Sequence, residues 1–121
     1  MSQVIIKTPA QLDLMRRAGQ LLAQVFADLD SFIRPGVTTM QINDRAEAFI
    51  VGTLKARPAS KGQYGFPYSL NTSVDHVVCH GMPKVDEVLK GRLDHQRRHH
   101  PGTRRLYRRL VEDVQHRADQ R

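Results

Sequence analysis

An abrupt change of composition near Gly91 sets the limits on any fold for this chain. Residues 1–90 carry 10 basic and 8 acidic side chains, while residues 91–121 carry 9 arginines, no lysine and 4 acids. Most of the formal net charge of +7 therefore sits in the last quarter of the sequence. The apolar side chains there are few: Leu93, Leu106, Tyr107, Leu110, Val111, Val114 and Ala118. A single core in ~100 residues suffices only when most of the chain contributes to it. The fold must be built from the first 90 residues, with 91–121 expected to be a basic Arg/His-rich tail, disordered or partly helical.

Within residues 1–90 the spacing predicts a helix pair followed by a β-hairpin. Thr8, Pro9 and Gln11 form a helix-start signal: a capping hydroxyl, a proline at the first helical position and a capping-box partner three residues on. Leu12, Met15, Leu22, Val25, Phe26, Leu29, Phe32 and Ile33 then recur at helical spacing and give one buried face. Arg34-Pro35-Gly36 ends that helix. Thr38 and Gln41 repeat the start signal, and Ile42, Ala46, Phe49, Ile50 and Leu54 carry a second helix expected to reach residue 57, before Pro58. Gly62–Pro67 reads as a loop rich in glycine and aromatics. Ser69–Val74 and Val77–His80 read as two strands turning at Asp75-His76. Val4-Ile5-Ile6 is expected to form an edge strand or a docked arm, and Asp86–Lys90 one helical turn.

The lone cysteine, Cys79, excludes an internal disulfide. The N-terminus lacks the basic start and apolar core of a signal peptide, and no apolar run approaches the ~20 residues that span a bilayer. Both point to a cytoplasmic protein without membrane contact. Asp13, Asp28, Asp30 and Asp44 fall on the helices and are expected to form solvated faces. Met15, at least, lies on a core-facing stripe.

The segment Asn71-Thr72-Ser73-Val74-Asp75-His76-Val77-Val78-Cys79-His80-Gly81-Met82-Pro83 resembles the type I methionine aminopeptidases, which carry a similar strand-turn-strand ending in Val-Val-Cys-His-Gly-x-Pro. Ile6-Lys7-Thr8-Pro9, Met15-Arg16-Arg17-Ala18-Gly19 and Pro35-Gly36-Val37-Thr38-Thr39 match in the same order, so the resemblance covers residues 4–90. It implies an α/β (α+β) architecture, here a truncated pita-bread fold, with residues 1–90 as the N-terminal part of the domain. It also implies hydrolytic removal of the initiator methionine, with nascent polypeptide N-termini and the ribosome as partners. The family uses two divalent metal ions (Co, Mn, Fe or Zn), held by two Asp, one His and two Glu, all beyond the His-Gly motif. Paired metals lower the pKa of bound water and polarise the carbonyl together. By this resemblance His80 is the catalytic and substrate-binding histidine, a hydrogen-bond donor near the substrate amide and not a metal ligand. Phe66 and Cys79 match residues lining the methionine pocket, where a soft sulfur suits a thioether. Read from the residues alone, His80 is a histidine at a strand end bonded to backbone, and Cys79 a core side chain. Gln63 and Asn71 depart from the family, which has an aromatic and a more apolar residue there.

After Lys90 the resemblance stops. A shift of reading frame accounts for the tail: taking the last two bases of each codon with the first of the next permits a run that resembles the missing family segment. Its two metal aspartates would then be encoded across Arg98 and Arg109, 11 residues apart. As written, the chain offers guanidinium groups at those places, which stay protonated and repel cations. No metal site and no cofactor are therefore expected for this chain, which is expected to be inactive. The remaining half-fold would expose apolar surface and strand edges. Two other readings fall on the same tail. Arg97, Arg98, Arg104, Arg105, Arg108, Arg109 and Tyr107 can contact RNA phosphates and stack on a base, making a small basic RNA- or ribosome-binding protein, or a non-specific polyanion binder. His95, His99, His100 and His116 offer nitrogen ligands for zinc, though Pro101-Gly102 interrupts the spacing.

Overall fold

The structure, a computed structural model, describes residues 4–90. The expectations for the tail, whether a frame-shifted metal segment, an RNA contact or a zinc site, fall on residues 91–121, outside the described residues.

Helix α1 spans Pro9–Phe32 and helix α2 spans Thr39–Ala48. Both open with the reciprocal capping box that the sequence announces. Thr8 N–H donates to Gln11 Oε1 at 2.9 Å while Gln11 N–H donates to Thr8 Oγ1 at 3.3 Å. The same pair of bonds joins Thr38 and Gln41 at 2.9 and 3.1 Å. Each box satisfies a donor that the first helical turn would otherwise leave unpaired. Past Ile33, whose N–H still reaches the Leu29 carbonyl, Pro35 and the left-handed Gly36 turn the chain toward α2.

The second helix does not run on to residue 57. After Ala48 it widens into a π-helical turn, Phe49–Thr53, and closes through Lys55 at φ 52°, with Ala56 N–H bonded to the Ile50 carbonyl. Phe49, Ile50, Val51 and Thr53 crowd the preceding turn and Gly52 adds backbone freedom, so the tight α-helical ladder is poorly favoured there.

The core is small. Val25 and Leu29 of α1, Ile42 and Ala46 of α2, Val37 of the connection and Leu70 are buried, with Phe26, Phe32, Ile33, Phe49, Ile50, Leu54 and Leu89 packed around them. Only the C-terminal half of α1 takes part; Leu12 and Leu14 are exposed. Lengths explain this: at 1.5 Å per residue α1 is roughly 36 Å long and α2 roughly 15 Å, so α2 cannot cover both halves. The two helices are tied by Arg45, which donates from Nε and Nη2 to Asp28 at 2.8 and 2.7 Å and lies over the Phe32 ring at 5.6 Å. Asp28 is thus not part of a solvated face: its side chain is 13% exposed, and the Arg45 hydrogen bonds hold its carboxyl below the usual range.

Three expectations are corrected, two of them because no strand forms among the described residues. Val4, Ile5 and Ile6 are exposed and form neither an edge strand nor a docked arm, because no described strand lies beside them to pair with. Residues 69–80 do reverse at Asp75-His76, where Val77 N–H donates to the Val74 carbonyl at 3.1 Å. No ladder follows, however. The bond from Thr72 N–H to Gly81 O at 2.8 Å is two residues out of register with that turn, and His80 sits at φ 55°. An isolated two-stranded hairpin is marginal without a third strand or a helix beneath it. The third correction concerns residues 86–90, which are extended rather than helical. Residues 84–89 run antiparallel to residues 36–40: Leu89 N–H bonds to Val37 O at 2.8 Å, Gly36 N–H to Leu89 O at 2.9 Å and Thr39 N–H to Glu87 O at 3.0 Å. Met40 N–H bonds to Lys84 O at 3.1 Å, and the fully buried Thr39 Oγ1 accepts from Lys84 N–H at 2.9 Å. This strap satisfies the first N–H groups of α2 from outside the helix, and the helix-start donors outcompete any local turn within 86–90. No described helix is long and apolar enough to cross a membrane.

Candidate functional site

The residues singled out by the sequence lie on the two loops that follow the helix pair. Cys79 and His80 are exposed at the end of the returning arm, and His80 is held in left-handed backbone geometry. That geometry is costly for a residue with a Cβ and persists only where neighbours impose it. Gly81 supplies the constraint. Its carbonyl accepts from Thr72 N–H, and its own N–H donates to Ser73 Oγ at 3.1 Å. A Cβ added to Gly81 would stand 2.1 Å from the Thr72 carbonyl oxygen, so only glycine fits here.

Phe66 belongs to the preceding loop. Gly62 N–H bonds to Phe66 O at 2.7 Å and Phe66 N–H to Gln63 O at 2.8 Å, closing a tight loop with Gly62, Tyr64 and Gly65 all at positive φ. Phe66 is half-buried and meets the Tyr68 ring edge-on, with centroids 5.8 Å apart. Tyr64 is almost fully exposed, 95%. The Cys79 thiol is a free, exposed cysteine rather than the buried core side chain of the alternative reading.

Behind these loops lies a polar anchor that the sequence reading missed. Asn43 Oδ1 accepts from both Ser69 N–H, at 2.9 Å, and Leu70 N–H, at 3.1 Å, all buried. One helical turn on, Glu47 accepts from Ser69 Oγ at 2.7 Å and from Lys61 Nζ at 2.5 Å. The Lys61 and Ser69 hydrogen bonds lower the Glu47 pKa, outweighing the desolvation that would raise it. Asn43 and Glu47 thereby pin the segment between Lys61 and Leu70, and so the loop bearing Phe66, onto α2. The available signal was Asn43 itself, a polar residue on the apolar stripe of Thr39, Ile42 and Ala46, where burial demands partners. An open hollow of 640 Å³ beside this anchor is lined by Met40, Glu47, Val51, Lys61 and Tyr68 among others, and by none of Phe66, Cys79 and His80.

Comparison with known proteins fixes the family. The sequence matches the metallopeptidase family M24 over residues 13–94, more than half of the chain. The chain belongs to metallopeptidase family M24. It is 45% identical over 87 residues to a methionine aminopeptidase of Helicobacter pylori strain ATCC 700392 / 26695, covering 72% of this chain and 34% of that protein. It is 37% identical over 87 residues to the methionine aminopeptidase of Escherichia coli strain K12, covering 72% and 33%. The fold agrees: it matches the crystal structure of methionine aminopeptidase from Rickettsia prowazekii with a TM-score of 0.67 at 40% identity, covering 73% of this chain and 35% of that one. The architecture is therefore part of the pita-bread fold of those enzymes, represented by its helices and loops without a described strand. This M24 chain spans about a third of the length of the curated relatives it matches.

The family is metal-dependent, and a metal would need a cluster of anionic or nitrogen ligands in this chain. Among the described residues no three His, Cys, Asp or Glu side chains stand close enough to hold an ion. Several of the carboxylates present are engaged by cations of the chain: Asp13 by Arg16, Asp28 by Arg45 and Glu47 by Lys61. The described residues do not fit a resident metal.

Proposed function

We propose that residues 4–90 are the substrate-side, amino-terminal part of a methionine aminopeptidase domain, and that this chain does not itself hydrolyse peptides. In that role His80 stands where a donor would meet the substrate amide, while Phe66 and Cys79 flank the methionine side chain. The substrates of the complete domain would be the N-termini of nascent chains at the ribosome, from which the initiator methionine is removed. One observation carries the reading: 45% identity over 87 residues to a methionine aminopeptidase, a match that covers 34% of that protein. Residues 91–121 then bring nine arginines where the resemblance calls for metal-binding carboxylates. A dinuclear hydrolase needs anionic oxygens around its cations, and guanidinium cannot replace them.

Homogeneous chain incubated with a Met-Ala-Ser peptide and added manganese or cobalt is expected to release no methionine and, after dialysis, to retain less than stoichiometric metal. Metal-dependent methionine release would overturn the reading. The shift of frame after Lys90 is tested separately, by the DNA sequence across and beyond the Lys90 codon. An open alternate frame encoding further His and Glu ligands supports the shift; stop codons in that frame refute it. Nine arginines in 31 residues also favour a second reading, polyanion binding by the tail. Strong, salt-sensitive and sequence-selective RNA binding would support an evolved RNA site there.

A further inference from the structure

The hollow beside α2 combines two kinds of lining. Met40, Ala48, Val51 and Tyr68 make its wall apolar, and Asp44 and Glu47 give it a negative rim. The cation in that wall, Lys61, is already held by Glu47 at 2.5 Å. The other Glu47 oxygen accepts from Ser69 Oγ at 2.7 Å, so Glu47 is fully engaged. Asp44 differs: it is exposed, it has no cation partner among the described residues, and Asn43 Nδ2 reaches it only at a long 3.4 Å. Val51 lies in the last turn of the helical run that begins at Thr39, and the carbonyls at a helix end favour a positive charge. The volume is 640 Å³, within the ~300–1,000 Å³ of sites that hold a ligand. This chemistry suits a cation on an apolar stem. An arginine fits it, with the guanidinium on Asp44 and the methylenes against Val51 and Tyr68.

The chain carries such groups within reach. Arg104-Arg105-Leu106-Tyr107-Arg108-Arg109-Leu110-Val111 sets four arginines among four apolar side chains with no acid between them. The strap fixes where that segment is tethered. Lys84 O accepts from Met40 N–H at 3.1 Å, so the strap passes the margin of the hollow. At ~3.3 Å per residue, Lys90 lies at most roughly 20 Å beyond Lys84, and the 14 residues from 90 to 104 span up to roughly 46 Å. The return is within reach, and tethering gives the segment an effective concentration on the order of mM. We propose that residues 104–111 dock in cis in the hollow beside α2, with an arginine on Asp44 and Leu106, Tyr107 and Leu110 against Met40, Val51 and Tyr68. The contact uses none of Phe66, Cys79 and His80, and it holds whatever the origin of the tail's reading frame. Docked arginines are withheld from polyanions, so the two uses of the tail compete.

Timed trypsin cleavage of the full-length chain, read by mass spectrometry, tests the contact. Cleavage after Arg104, Arg105, Arg108 and Arg109 is expected to be at least about threefold slower in the unaltered chain than in Asp44→Asn, the size of one partly exposed charge pair. Cleavage after Arg97 and Arg98 is expected to stay the same. Val51→Lys, which sets a cation in the hollow, is expected to remove the protection to the same degree. Sodium chloride at about 1 M, where the Debye length is ~3 Å, is expected to weaken it. Asp44 and Val51 are both exposed, so neither substitution disturbs the helices, and unaltered circular dichroism checks this. Equal cleavage rates in the three proteins, or protection that survives both substitutions, would overturn the proposal. Protection that grows with chain concentration would overturn it as well, because the segment would then be docking on another copy.

Discussion

Replacing Asn43 by alanine tests whether one buried amide holds the loops to the helices. Its Oδ1 accepts two hydrogen bonds, from Ser69 N–H at 2.9 Å and Leu70 N–H at 3.1 Å. Asn43 is 3% exposed, Ser69 4% and Leu70 6%, so water cannot readily take over either donor. Each buried donor left unsatisfied costs about 1–3 kcal/mol, giving roughly 2–6 kcal/mol for the pair. A folded unit of the described size holds only roughly 4–13 kcal/mol in total. The loss is thus a large share of the whole, and a fall in Tm of about 10 °C or more is expected for a domain this small. The assay is thermal unfolding followed by circular dichroism, with amide exchange read at Ser69 and Leu70. Asn43→Asp keeps an acceptor at the same place and is expected to retain more of that protection than alanine does. Unchanged melting of Asn43→Ala, with both amides still protected, would refute the anchoring role.

Three further outcomes follow from the same geometry. Gly81→Ala places a Cβ 2.1 Å from the Thr72 carbonyl oxygen, and the resulting overpacking is expected to cost about 1–3 kcal/mol and to expose the Thr72 amide to exchange; unaltered protection at Thr72 would count against the contact. Acid should loosen the helix pair. Asp28 and Glu47 both have folded pKa values lowered by their cationic partners, so their contribution is full above the ordinary carboxylate pKa and is lost as pH falls through the lowered values. A melting temperature that stays flat or rises on acidification below about pH 4 would contradict this. Arg45→Lys retains the charge but not the two-pronged bond to Asp28 or the planar contact with Phe32. It is expected to shift the denaturant midpoint only slightly downward, as befits a partly exposed pair, and denaturant midpoints of the two proteins measure it.

Helices were legible in the sequence because their signals are local. Thr8 with Gln11 and Thr38 with Gln41 name both starts to the residue, and Pro35-Gly36 separates the two helices. The family was legible as well, since Val77–Pro83 and three further segments match in order and the independent comparisons agree. The site was legible only as a set of residues. Which loop carries Phe66, that Cys79 and His80 stand exposed, and that Asn43 and Glu47 hold the supporting segment depend on contacts 22 to 27 residues apart in the chain.

Sequence by itself determined the two helix starts, the chain reversal at Asp75-His76 and the membership of a metallopeptidase family, because capping, turn chemistry and motif order are written in neighbouring residues. Only the tertiary structure decided that residues 84–89 form a strap rather than a helical turn, that α1 is buried along half its length, and that the returning arm carries no strand. Each of those outcomes was set by what lay across from the segment: unpaired N–H groups at the start of α2, a partner helix too short to cover α1, and no described third strand to complete a ladder.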